Sequence, residues 1–152
     1  PLIIALSSFF VFQLTILHGL IRQSAPQLVV FNQTDRSEIS LYIRGKRRFL
    51  EIPENGVLPH PEKRILHLSD RSMAGFQAEN PFQADVLILS KNAFFTMEQL
   101  INLFNPSVIV LDSSIPRGAA NQMKAECQQL GIKVHDVTQN GAFSINFSYL
   151  CP

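Results

Sequence analysis

The chain has 152 residues, with 13 Lys and Arg against 12 Asp and Glu, for a net charge of +1. That balance excludes a protein that engages nucleic acid through a global positive field, and two cysteines exclude a disulfide-dense scaffold. No G-x-S-x-G elbow, Walker-type loop or G-x-G-x-x-G is present, so the nucleophile and nucleotide motifs with local signatures are excluded as well.

Residues 2–21 (LIIALSSFFVFQLTILHGLI) contain no Asp, Glu, Lys or Arg. As a helix they extend roughly 30 Å, the thickness of a bilayer core, which predicts a transmembrane helix over 1–23 with Arg22 and Gln23 at its exit. Ser7, Ser8, Gln13 and His18 dilute the apolar surface, and Gln13 and His18 are expected to face neighbouring helices. A secretory signal peptide is the competing reading, but no basic segment precedes the apolar run. Starting at Pro1 without a methionine, the chain reads as the tail of a longer protein with further spans upstream.

From Gln27, three short alternating runs (LVVFN, SEISLYIRG, KRRFLEI) predict an antiparallel meander with turns at Thr34-Asp35-Arg36 and Gly45-Lys46. Residues 53–62, with three prolines and a glycine, are expected to form a loop, as are 73–81; Arg64–Ser69 is expected to add a strand. DVLILS and VIVLDSS are continuous apolar runs of strand length. Between them TMEQLINLF opens with a capping box from Thr96 to Gln99, has Phe95 and Leu100 as a staple, and is stopped by Asn105-Pro106. A second helix, about Arg117 to Leu130, carries Ala120, Met123, Cys127 and Leu130 on one stripe and ends at Gly131. IKVHDV, a hairpin turn at Gln139-Asn140-Gly141 and AFSINF complete the chain. The fold class is therefore α/β (α+β): a meander, then a parallel βαβαβ half closed by an antiparallel strand, within 27–148.

Candidate site residues are few. Asp112-Ser113-Ser114 ends a parallel strand, where open α/β sheets bind ligands; the plainer reading has Ser113 or Ser114 capping the next helix. Lys91 and Asn92 share that edge and with Arg117 can hold a phosphate, although solvated loop residues are the default. Arg44, Lys46, Arg47 and Arg48 cross a hairpin tip, a patch able to contact phosphates or headgroups and more often simply solvated. Cys127 reads as a buried small hydrophobe, Cys151 lies in the tail, and His135 sits on a strand without an evident partner.

The ordered set DVLILSKN, FNPSVIVLDSS, helix, LGIKVHDVTQNGAFSINF resembles the end of the metallo-β-lactamase-like domain of ComEC-type competence proteins, in its divergent Bacteroidetes-like form. The resemblance implies a small metallo-β-lactamase-like domain behind the last transmembrane helix of a DNA-uptake channel. It implies the bacterial inner membrane as its place, with the globular part outside the cytoplasm, whereas Arg22 and the basic cluster lean towards the inside.

The departures bear on chemistry. Where metal-dependent members carry a zinc-binding His after the first strand, this chain has Ser90, Lys91 and Asn92, and a lysine ammonium repels a cation. The H-x-H-x-D-H cluster is answered only by His67-Leu68-Ser69-Asp70-Arg71-Ser72, and the later Gly-His-Pro has no counterpart in SSIPRGAAN. His18, His60, His67 and His135 never fall at ligand spacing. The expectation is a metal-free, non-hydrolytic domain without cofactor. It would guide or bind DNA or brace the channel, with membrane lipid (through 2–21) and upstream helices as further partners. The alternative is a membrane-anchored α/β enzyme using Asp112, Ser113 or Lys91.

Overall fold

The computed structural model describes residues 2–23, 26–33, 36–43, 45–49, 53–58, 62–93 and 95–146. It is a mixed α/β fold of two sheets and four helices. Helix α1 (Leu2–Gln23) is followed by β1 (Gln27–Gln33), β2 (Arg36–Ile43) and β3 (Lys46–Phe49), the expected meander. Strands β4 (Asn55–Leu58), β5 (Ile65–Leu68), β6 (Phe82–Leu89), β7 (Phe104–Leu111) and β8 (Lys133–Asp136) form the second sheet in that order. Helix α2 (Met97–Leu103) joins β6 to β7 and α3 (Arg117–Gln129) joins β7 to β8, so β5 through β8 run parallel. A short helix α4 (Val137–Asn140) leads to β9 (Phe143–Asn146).

Because successive strand side chains point to opposite faces, each apolar run of the parallel sheet feeds two cores. Leu87, Leu89, Ile109 and Leu111 pack with Leu100, Leu103, Met123 and Cys127 from α2 and α3. Val86, Ile88 and Val110 pack on the other face with Leu28, Val30 and Ile39 of the antiparallel sheet. The layers are thus antiparallel sheet, parallel sheet, helices.

Local signals hold at several points. Thr96 caps α2 by accepting from the Gln99 amide at 3.3 Å while Gln99 accepts from the Thr96 amide, and Phe95 and Leu100 are buried in one cluster. Gly131 takes a φ of 69° after α3.

Other expectations are corrected. The segment taken as a proline-rich loop contains β4, antiparallel to β5, because Leu58 finds a place in the inter-sheet core. No hairpin forms at 139–141. Asp136 instead accepts from the Thr138 amide (3.0 Å) and hydroxyl (2.6 Å), winding α4, and buried Val137 turns the chain across to the other sheet. There β9 pairs antiparallel with β1 rather than with β8. Leu130, placed on the buried stripe, is 49% exposed because the helix ends at Gln129. Neither Ser113 nor Ser114 caps α3; its N-cap is Pro116, without a side-chain bond.

The apolar N-terminal segment is helical, but among the described residues no helix is long and apolar enough to cross a membrane, so the predicted span is not supported. Ser7, Ser8, Gln13 and Thr15 interrupt its surface, with Ser7 and Thr15 hydroxyls returning to the carbonyls of Ile4 and Phe12. Arg44, Ile52, His60 and Cys151 lie outside the described residues.

Candidate functional site

Strand alternation assembles the most polar part of the interior. On the inter-sheet face, Ile65-x-His67, Ile88-x-Ser90 and Val110-x-Asp112 each end in a polar residue at the carboxyl edge of a parallel strand. All three are buried: His67 is 6% exposed, Ser90 0% and Asp112 1%.

His67 spends both ring nitrogens on the protein. Nδ1 lies 3.2 Å from the carbonyl of Pro53 and Nε2 lies 2.9 Å from Ser90 Oγ. A carbonyl only accepts, so Nδ1 carries the proton and Nε2 accepts from the Ser90 hydroxyl. Burial lowers the His67 pKa below its usual range, against the opposing pull of the Pro53 bond and the nearby Asp112 charge. This is a neutral imidazole holding a buried hydroxyl.

Asp112 Oδ1 accepts from the Ser114 amide at 2.9 Å and from its hydroxyl at 2.5 Å. Its Oδ2 is buried without a hydrogen-bond partner. Ser114 Oγ in turn accepts from the Lys91 amide at 2.6 Å. Lys91 takes a φ of 50°, a left-handed conformation rare for a residue with a side chain, in the turn that leaves β6. Its ammonium is exposed and meets Glu54 at 3.2 Å.

The segment His67–Ser72 is occupied by its own bonds. Asn55 of β4 donates to Asp70 (2.7 Å) and to Ser72 Oγ (2.9 Å) and accepts from the Ser69 amide (2.9 Å). Hydrogen bonds from the Ser72 side chain and amide, then from Asn55, hold the Asp70 carboxyl below its ordinary range. Asn55 lies in the segment read as a loop, and nothing local in the sequence marks its role. Among the described residues no three His, Cys, Asp or Glu side chains group as a metal site.

Among the described residues, Ser113 and Ser90 at this edge are engaged in bonds of the fold. Ser113 donates its hydroxyl to the carbonyl of Gln33 at 2.5 Å, a tie between the two sheets. Ser90 has a base beside it, yet that base is oriented by a backbone carbonyl rather than by a carboxylate, and the hydroxyl is sealed from solvent.

The basic residues separate into two groups on different sheets. Lys46 and Arg48 stand opposite Ile43 and Leu41 on edge strand β3, both exposed. Arg47, opposite Tyr42, is committed elsewhere: it pairs with Glu38, donates to Ser40 Oγ at 3.0 Å and lies 5.5 Å from the centre of the Phe31 ring. Lys91 and Asn92 are exposed after β6, and Arg117 is exposed at the first turn of α3, beyond the Ser114 link.

No curated protein and no solved structure matches the chain. The family model of the ComEC C-terminal domain matches residues 13–147, nearly the whole of the sequence, and the chain belongs to that family.

Proposed function

We propose that this chain serves bacterial DNA uptake as a C-terminal domain that contacts DNA without hydrolysing it. The observation that carries the reading is the family match over residues 13–147. The strand edge supports the non-hydrolytic part. His67, the histidine nearest to a ligand position, has both nitrogens engaged by Pro53 and Ser90, and the Lys91 ammonium is exposed and meets Glu54. Lys46 and Arg48, exposed at one hairpin, supply phosphate contacts without any demand for metal.

We place the domain at the inner membrane, with its globular part outside the cytoplasm. Support comes from α1, on which Ile4, Phe9, Phe10, Val11, Phe12, Leu14, Ile16 and Leu17 are all exposed. Upstream helices of the same protein are the natural cover for such a surface.

The test is DNA binding by the full chain in detergent, followed by fluorescence anisotropy with zinc, with manganese and with EDTA. Binding that is salt-dependent, indifferent to metal and free of strand cleavage is expected. Stoichiometric zinc or metal-dependent cleavage would replace this reading with that of a nuclease.

A further inference from the structure

The β2–β3 hairpin and the end of α1 meet at one end of the antiparallel sheet. Gln27, the first residue of β1, stands opposite Tyr42, and Tyr42 stands opposite Arg47. The turn at Gly45 (φ 72°) then sets Lys46 opposite Ile43. Two strand spacings put Arg47 about 10 Å from Gln27 across the sheet. Gln23 ends α1 four positions before Gln27, a reach of at most about 14 Å. We infer that this end of the sheet docks on a membrane surface of anionic lipid, with Lys46 and Arg48 on the headgroup phosphates. The inference rests on the membrane placement proposed above and turns it into an orientation of the domain against the bilayer.

The charge at this end has one sign. No Asp or Glu precedes Asp35, and none occurs between Ile39 and Leu50. Arg22 stands in the last turn of α1. Lys46 and Arg48 are exposed on edge strand β3, whereas Arg47 between them is committed to Glu38 and Ser40. Basic residues immediately beside a membrane-attached helix gain from the negative surface potential, about fivefold in affinity for each charge. Half-buried Tyr42, with its ring centre 6.2 Å from that of Phe31, adds at the same end a side chain suited to the headgroup level.

The other end of β1 decides what faces away. Ser113 donates its hydroxyl to the carbonyl of Gln33, about 20 Å along the strand from Gln27. The edge that holds His67, Ser90 and Asp112 therefore points away from the headgroups. Lys46 and Arg48 are also the cations offered to DNA above, so headgroup and DNA phosphates compete for them.

The test uses the full chain in nanodiscs of phosphatidylcholine, alone or with about 30% phosphatidylglycerol, and a lipid whose headgroup carries a nitroxide quencher. In a Cys151→Ser background a fluorophore is placed at Asn146→Cys, exposed beside Gln27, or at Gln33→Cys, exposed at the far end. Quenching at 146 is expected to exceed that at 33, to grow with phosphatidylglycerol, and to fall between about 50 and about 500 mM salt. Lys46→Gln with Arg48→Gln is expected to weaken docking on the order of 25-fold, returning quenching at 146 to its level in neutral discs. Quenching that ignores lipid charge, salt and the double variant would overturn the docking while the membrane placement stands. A chain that enters neither kind of disc would overturn both. If the double variant loses DNA binding but keeps its quenching, the two cations serve DNA alone and the docking falls.

Discussion

His67 Nε2 and Ser90 Oγ lie 2.9 Å apart in the interior, where both residues are buried. Three strands converge there, and the pair has the distance of a base and nucleophile without the orienting carboxylate or the access. Its first consequence is structural. Ser90→Ala leaves a buried imidazole nitrogen without a partner, and is expected to cost about 1–3 kcal/mol in urea unfolding. An unchanged midpoint would mean that Nε2 finds another donor.

The same histidine gives stability a pH dependence of definite sign. Its folded pKa is lowered, first by burial, so the unfolded chain takes up a proton that the folded chain refuses. Stability is therefore full above the unfolded value of about 6.5 and declines as pH falls below it. His67→Gln should flatten this limb below about pH 6.5 while lowering stability at neutral pH.

Asp112 carries a buried oxygen with no partner. Asp112→Asn keeps an acceptor for Ser114 and removes the cost of burying charge, so the thermal midpoint should rise by about 2–4 °C. A fall instead would show that the carboxylate's charge is used in the folded state.

Lys124 reaches Asp136 at 2.8 Å beside the turn that sends the chain to β9. Burial pushes the Asp136 carboxyl up, but the bonds from Lys124 and Thr138 outweigh it and hold the pKa below its usual range. The stability it contributes is present above about pH 4 and is lost as pH falls through the lowered folded value. Asp136→Ala is expected to cost about 1–2 kcal/mol through the lost cap alone, and to raise amide exchange in β9 first.

The hairpin cations should behave differently from one another. Lys46→Gln with Arg48→Gln is expected to leave unfolding unchanged and to lower the salt slope of single-strand DNA binding by about 1.4. Arg47→Ala is expected to lower stability, by about 1 kcal/mol, because its guanidinium serves Glu38, Ser40 and Phe31.

Cys127 offers a probe of the helical core. Burial, then the Glu126 charge, pushes its thiol up to about 11, and Sγ sits 3.3 Å from Met97 Sδ. Thiol reagents at pH 8 should label it only as fast as the chain opens.

Much of the parallel half was legible in the order of residues. The Thr96–Gln99 capping box, the uninterrupted apolar runs of β6 and β7, the Ala120, Met123 and Cys127 stripe and the left-handed Gly131 are short-range features, each complete within one or two turns or a single strand. The meander was legible for the same reason, through alternation around Ile39 and Leu41. The family, too, could be read from the ordered motifs of residues 85–147.

Tertiary structure alone decided the rest, because strand partners and buried hydrogen bonds are set between residues far apart in the chain. A four-residue strand such as β4 or β9 carries too few side chains to announce its partner. The inter-sheet core selected β1 for β9, since Phe143 and Ile145 pack there with Val30 and Leu28. The Gln139-Asn140-Gly141 signal lost to Asp136, whose carboxylate found Thr138 and Lys124 and wound the turn the other way. Arg47 left the basic patch for Glu38 on the neighbouring strand. His67, Ser90 and Asp112, spread over 46 positions of sequence, became neighbours only because three parallel strands in register end at one edge.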